Sequence, residues 1–356
     1  MKRRDFITKA GLGTAAVAGA TLAAPAIAQE RKVLTCVSSW PRDFPGLGVS
    51  SQRLMERITQ ISEGRLTMEY FAAGEKVGGL DVFEEVASGN SSCYISADYY
   101  FTGKHPGLAY WTSVPFGMNS KQMNSWIIAG GGYKYYREIY EPFNLIPFVG
   151  GNTSMQMGGW FNKEIQSIED INGLKMRIPG FGGKVLSKAG GTAVTVAGGE
   201  IYTNLERGVI DATEWIGPYH DYLMGFYQVA KYYYYPGWQE PGGVLEMIAN
   251  KSKFESLPTD LQEIVRKGIE SLNIWMQCEF DSKNSIYLNK LLNEENVQLK
   301  IFPKDVLKSF KDKSNEVLQE MVDKDPKSKK IFDAYEDFRV KFKDWSVVSD
   351  KIYYEL

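Results

Sequence analysis

Between residues 31 and 97 the spacing of apolar side chains alternates between two periods. Arg31 to Ser38 is a short β-branched run closed by turn residues, which predicts a strand. Val49 to Ser62 sets Val49, Leu54, Ile58 and Ile61 close to helical spacing. Arg65 to Phe71 alternates as a second strand, and Gly78 to Ser88 puts Val82 and Val86 on one helical face. Ser92 to Ala97 then reads as a third strand. A βαβαβ order of this kind predicts a right-handed parallel sheet with helices on both faces.

The same rhythm returns after residue 150. Asn144 to Thr153, Gly158 to Asn162, Lys175 to Ile178, Thr192 to Val196 and Ala212 to Ile216 read as strands. Lys184 to Gly190 and Ile201 to Val209 read as helices between them. Two α/β lobes follow from this repetition. The first covers residues 29–150, the second 151–239, and the chain from about 240 to 356 is shared between them. Gly150 and Gly217 are candidate hinges. Pro258 to Gln277 predicts an amphipathic helix with Leu261, Ile264, Val265, Leu272 and Trp275 as its stripe. Lys308 to Asp323 and Lys330 to Trp345 are further helices, divided at Asp325-Pro326. These last two either pack on one lobe or form a dimer arm.

Residues 1–28 follow neither pattern. Lys2-Arg3-Arg4-Asp5-Phe6 precedes a small-residue apolar run from Ala10 to Ala24 and an A-x-A cleavage site before Gln29. The Arg3-Arg4 pair followed by Phe6 resembles a twin-arginine export signal. The run is too short and too rich in Ala, Gly and Thr for a membrane span. The expectation is a cleaved signal and a mature protein in the periplasm.

The chain carries 41 Lys and Arg against 43 Asp and Glu. Residues 1–28 hold four of the basic residues and one acidic one, so the mature net charge is near −5. That balance excludes a typical nucleic-acid binder. A mature length near 328 residues suits two lobes better than one core. Aromatic residues are abundant (21 Tyr, 18 Phe, 8 Trp) and can line a small-molecule cleft. Cys36, Cys93 and Cys278 are widely spaced, without C-x-x-C; one disulfide plus a free thiol and three buried thiols both remain open. With only His105 and His220, and neither H-E-x-x-H nor G-x-S-x-G, a zinc hydrolase or nucleophile-elbow enzyme has no support. Gly180-Phe181-Gly182-Gly183-Lys184 lacks phosphate-loop spacing and reads as a turn into a helix.

Three segments carry candidate chemistry: Gly150 to Phe161, Gly173 to Gly180, and Gly198 to Tyr219. Arg177 stands in an otherwise apolar strand beside Ile178-Pro179-Gly180. A guanidinium at such a strand end can clamp a carboxylate through two parallel hydrogen bonds, each worth about 1.5–3 kcal/mol. An ordinary surface ion pair is the competing reading. Glu214, in Ala212-Thr213-Glu214-Trp215-Ile216, is flanked by residues of buried type and needs a partner. Facing the same cleft as a bound carboxylate, it would be repelled by about 4 kcal/mol at 4 Å and intermediate dielectric. A cation between the two removes that cost. Sodium or calcium suits oxygen ligands, and the Gln156 amide and the Trp215 carbonyl can supply them. A structural salt bridge is again the alternative.

The whole mature chain resembles the solute-binding proteins of tripartite ATP-independent periplasmic (TRAP) transporters. The likeness rests on the export signal, Gly173-Leu174-Lys175-Met176-Arg177, Gly199-Glu200-Ile201-Tyr202 and the run from Gly208 to Pro218. Met155-Gln156-Met157-Gly158-Gly159-Trp160-Phe161, Glu214-Trp215-Ile216-Gly217-Pro218 and Trp238-Gln239-Glu240-Pro241-Gly242 are similar to the α-keto-acid-binding subgroup. The resemblance implies an α/β, two-lobe periplasmic-binding-protein-like fold, type II-like, with a long C-terminal helical region. It implies that Arg177 holds the substrate carboxylate. Gln156, Glu214 and Trp215 would hold a cation that also touches the substrate, with Glu240 in or beside that shell. It further implies closure of the lobes around a small organic carboxylate, delivery to membrane permease subunits, and in some members a homodimer through the C-terminal helix.

Asn162, Tyr99, Tyr100 and Phe101 are additional cleft candidates, the aromatics as walls for an acyl tail. Tyr232 to Tyr235 reads as a strand edge with lobe packing, one ring of which could reach the ligand. The expected function is a binding module for a small 2-oxo or 2-hydroxy monocarboxylate with sodium or calcium, without enzymatic activity. Two alternatives stand beside it. One is the same role for a sugar acid or aromatic acid. The other is a secreted metal-dependent hydrolase or lyase using Glu214 with Asp211 or Glu240.

Overall fold

The computed structural model describes residues 31–356, and its strands assemble into two sheets. The expected export signal lies outside the described residues. In the first sheet the order is β2-β1-β3-β10-β4, with β1 Lys32–Ser38, β2 Leu66–Phe71, β3 Cys93–Ser96, β4 Leu145–Asn152 and β10 Val244–Asn250. The strand β1 runs parallel to both β2 and β3, as the βαβαβ reading predicts. Two principal helices cross between them, α1 (Leu47–Ile61) and α2 (Val82–Ala87). The sheet is nevertheless mixed, because β10 returns from far along the chain and lies antiparallel between β3 and β4. Sequence periodicity reports local structure and carries no trace of such a distant pairing.

The second sheet has the order β11-β9-β5-β8-β6-β7. Its strands are β5 Gly159–Phe161, β6 Lys175–Arg177, β7 Thr192–Val194, β8 Ala212–Thr213, β9 Tyr232–Tyr235 and β11 Gln298–Ile301. The four tyrosines of β9 are not at an edge, since β9 is flanked by β5 and β11. Tyr233 stacks on Trp160 at 4.1 Å and Tyr234 stacks on Phe302 at 4.7 Å, so these two rings are core. Residues 153–158 and 236–243 connect the two sheets.

The remaining principal helices are α3 Ser120–Ile128, α4 Gly132–Tyr140, α5 Gly180–Lys188, α6 Ile201–Glu206, α7 Pro218–Leu223, α8 Thr259–Asn293, α9 Lys304–Lys324 and α10 Pro326–Ser346. At 1.5 Å per residue α8 is about 52 Å long. It packs on β4 of the first sheet and on α7 beside the second, so one rigid element spans both lobes. The helix α9 lies on α5, while α10 lies on α3 and α4. Asp325 caps α10 by accepting the Ser328 N–H at 2.7 Å, with Pro326 in the first turn. In the first lobe Trp111 stacks on Trp126 at 4.8 Å and on Tyr136 at 4.5 Å. All three cysteines are free thiols; Cys36 and Cys93 are buried across β1 and β3, whereas Cys278 is exposed on α8. No helix among the described residues is long and apolar enough to cross a membrane.

Candidate functional site

The strands β6 and β8 are parallel, with Arg177 opposite Thr213. Both therefore end on the same side, where ligands of open α/β sheets bind. The Glu214 N–H donates to the Arg177 carbonyl at 3.1 Å, which carries Glu214 to the same place one residue later. Both side chains are buried, at 0% exposure. Nη1 of Arg177 forms an ion pair with Oε1 of Glu214 and reaches the Glu214 carbonyl at 3.4 Å. Nη2 donates to the Tyr100 hydroxyl at 3.1 Å. The guanidinium also lies 4.9 Å from the Trp215 ring.

The Trp215 ring is held in turn by His220, whose Nδ1 accepts the indole N–H at 2.8 Å. Burial pushes the His220 imidazole down to about 3, so it is neutral and available as an acceptor at neutral pH. Tyr99 and Tyr100 sit on a short 3₁₀ turn, Asp98–Phe101. Asp98 anchors that turn by accepting hydroxyl protons from Tyr136, at 2.5 Å, and Tyr140.

The two inter-sheet connections supply the rest. Gln156 donates its backbone N–H to the Glu240 carbonyl at 3.2 Å and its Nε2 to Thr153 Oγ1 at 3.2 Å. Gly243 makes room for this arrangement. A Cβ there would stand 2.9 Å from Gln156 Nε2 and 3.3 Å from Glu240 Oε2. Gln239 donates Nε2 to the Met157 carbonyl at 2.8 Å.

What distinguishes this cluster is the number of polar atoms left over. Gln156 Oε1, Glu214 Oε2, Gln239 Oε1, Glu240 Oε2 and Arg177 Nε are all buried without a hydrogen-bond partner. Each such group costs about 1–3 kcal/mol. Burial pushes the Glu214 carboxyl up to about 7 despite the attraction of Arg177. Burial, with repulsion from Glu214 added, pushes Glu240 well above the carboxylate range. Arg177 stays charged, because Tyr100 and Glu214 outweigh the opposing effect of its burial. Thus four oxygens and one guanidinium N–H converge with unused capacity. Beside them the packing leaves a gap of about 10 Å³, lined by Tyr99, Tyr100, Gln156 and Trp215, with Trp40 and Leu245 on its apolar side.

All-oxygen donor sets suit sodium and calcium. Among the described residues no group of three or more His, Cys, Asp or Glu side chains could hold a metal ion. A cation here would need amide and carbonyl oxygens beside the carboxylates, and the unpartnered Gln156 Oε1 is one such oxygen.

Of the residues singled out from sequence, Gln156, Arg177, Glu214, Trp215, Glu240, Tyr99 and Tyr100 come together. Asn162 does not. Its N–H donates to the Asp211 carbonyl at 3.0 Å, and the residue is exposed. The antiparallel pairing of β5 with β8 sends it to the end opposite Glu214. Phe101 packs in the first lobe against Phe83 and Tyr94, at 5.3 and 5.6 Å, rather than in the cleft. Gln239 enters from sequence only within the Trp238 to Gly242 resemblance and His220 only as one of two histidines, because their roles arise from contacts made by the folded chain.

A family model described as bacterial extracellular solute-binding protein, family 7, matches residues 38–325. The chain belongs to this family. A monocarboxylate 2-oxoacid-binding periplasmic protein of Nostoc sp. is 37% identical over 358 residues, covering 99% of this chain and 98% of that one. Two solved TRAP periplasmic solute-binding proteins share the two-lobe fold, each with a TM-score of 0.89 and 37% identity over 92% of this chain and 99% of theirs. The one from Colwellia psychrerythraea holds calcium and pyruvate, and the one from Pseudoalteromonas atlantica holds sodium and pyruvate. The family is one of periplasmic receptors, and its members work by binding.

Proposed function

We propose that this protein is the periplasmic receptor of a TRAP transporter for a small 2-oxo or 2-hydroxy monocarboxylate, bound together with sodium or calcium between the lobes. The observation that carries this reading is the gathering of Arg177 and four unpartnered buried oxygens in one cluster. Arg177 takes the substrate carboxylate. Gln156 Oε1, Glu214 and the Trp215 carbonyl hold the cation, which reconciles the substrate anion with Glu214. Glu240, kept protonated by burial, offers a hydrogen bond to the 2-oxo or 2-hydroxy oxygen. Pyruvate bound with calcium or sodium in two relatives of the same fold supports the ligand class and the cation.

The cluster has no histidine within reach for proton relay other than His220, which is neutral and committed to Trp215. Binding without turnover is therefore the stronger reading. The lobes divide near residues 151 and 239, and a twin-arginine leader delivers the chain to the periplasm.

The C-terminal segment leaves Trp345, Val348, Tyr353 and Tyr354 exposed, the last at 87%. This supports a homodimer through the C-terminal helix, which sedimentation at several concentrations checks. A melting screen of 2-oxo, sugar and aromatic acids tests the ligand class. An acid present at 100 times its dissociation constant adds about 2.7 kcal/mol of stability. Stabilisation by sugar acids alone would overturn the assignment.

A further inference from the structure

A cavity of about 610 Å³ lies between α5, α9 and the turn that carries Tyr99 and Tyr100. The two tyrosines line both this outer cavity and the small gap beside Gln156 and Trp215, and so stand between the two. On the inner side the Tyr100 hydroxyl takes its hydrogen bond from Arg177. On the outer side Gly180, at φ +63°, presses against Tyr99; a Cβ there would stand 3.0 Å from the Tyr99 Cβ. Lobe meets lobe at this contact, and Tyr100 both lines the outer cavity and bonds the guanidinium.

The charges lining the outer cavity do not balance. Lys184, Lys188 and Lys324 face Glu320 and Asp325. Lys188 uses Glu320 at 2.6 Å and Glu316 at 3.6 Å. Asp325 is occupied as the cap of α10 and faces His105 at 3.6 Å. Lys184 and Lys324 have no ion-pair partner among the described residues. They also repel one another: Lys184 is pushed down by burial and then by Lys324, with Glu320 only partly offsetting this. Apolar Ile178 and Met321 complete the walls.

We propose that this outer cavity is a second carboxylate site, an antechamber in which Lys184 and Lys324 gather a small organic anion before it passes Tyr100 to reach Arg177. The passage to Arg177 rests on the receptor reading above; the anion site itself does not. Lys184 and Lys324 are exposed, and two such ammonium groups lining one cleft concentrate anions and speed their capture, an effect that added salt screens.

Two experiments separate the parts. In the first, the rate of pyruvate capture is followed by stopped-flow tryptophan fluorescence, at low and high ionic strength. The double variant Lys184→Gln/Lys324→Gln is expected to associate roughly three- to tenfold more slowly at low salt. Its salt dependence should flatten, and its dissociation rate should stay that of the unaltered protein. Lys188→Gln, which removes an already paired charge, should change less. An association rate and salt slope unaffected by the double substitution would overturn the antechamber.

The second experiment does not need the inner site. Acetate is titrated into lysine-labelled Arg177→Ala protein and followed by NMR. The signals of Lys184 and Lys324 should shift together and saturably, while that of Lys188 stays. Absence of those shifts would sink the outer site whatever the fate of the receptor reading. Loss of pyruvate binding by the unaltered protein, with the acetate shifts intact, would instead sink the receptor reading and leave the anion site standing.

Discussion

Asp221 and Glu214 are both buried carboxyls of the second lobe, seven positions apart, and their surroundings could hardly differ more. Asp221 accepts from the Trp160 indole at 3.0 Å, the Tyr233 hydroxyl at 2.8 Å, and the backbone N–H groups of Ile216 and Gly217 at 3.2 and 3.1 Å. Its capacity is used up by the protein itself. Glu214 spends one oxygen on Arg177 and has no partner for the other. Burial pushes both up, Asp221 to about 6 and Glu214 to about 7. The shift alone therefore does not tell a ligand-binding acid from an architectural one. Between these two, the count of donors does.

This contrast can be broken in four ways. The largest effect is expected from Arg177→Ala. It leaves Glu214 buried without its counter-charge, a change that costs about 3–5 kcal/mol of stability, and it removes the carboxylate clamp. Calorimetry should show affinity for 2-oxo acids falling by orders of magnitude. Asp221→Ala should do the reverse, with about 3 kcal/mol lost in denaturant unfolding, because several donors are orphaned together. Its affinity should change far less than its stability.

The third test is pH. A cation needs Glu214 ionised, and a carboxyl pushed up to about 7 is mostly protonated at pH 6. Cation affinity should therefore rise roughly tenfold from pH 6 to pH 8, read by titration at fixed acid concentration. The same shift means the ligand-free protein binds more protons than the unfolded chain. Its Glu214 contribution to stability is thus present at low pH and lost as pH rises from 4.5 towards 7. The smallest effect is at His220. His220→Leu frees the Trp215 indole and should weaken binding several-fold, about 1 kcal/mol, while His220→Asn keeps an acceptor and should restore part of it.

Arg177 and Glu214 stood out in the sequence because each is a charge at the end of a short strand beside a Gly/Pro break; the ion-pair alternative describes the contact they make with one another, and their roles toward ligand and cation came from the resemblance. Gln156, Trp215 as a ligand and Glu240 entered through family resemblance, since a lone amide in a glycine-rich connection says nothing by itself. Asn162 was misplaced because strand direction decides which end of β5 meets the cleft, and direction is set by the non-local pairing with β8. The first three strands and two helices were readable because each keeps its own clear period and β1 takes both β2 and β3, the next two strands of the chain, as neighbours. The strand β10 was not, because it inserts antiparallel from about 150 residues beyond β3. The long α8 was foreseen only to Gln277. Past that point its buried positions thin to Phe280 and Leu291, so the apolar stripe fades although the helix continues.

The central claim is that one small acid is held jointly by the Arg177 guanidinium and by a cation on the oxygens of Gln156, Glu214 and Trp215. Calorimetric titration of pyruvate into protein freed of sodium and calcium, and again after either ion is restored, tests it most directly. Tight binding that appears only with the ion restored is the predicted result. Equal affinity with and without the ion would contradict it.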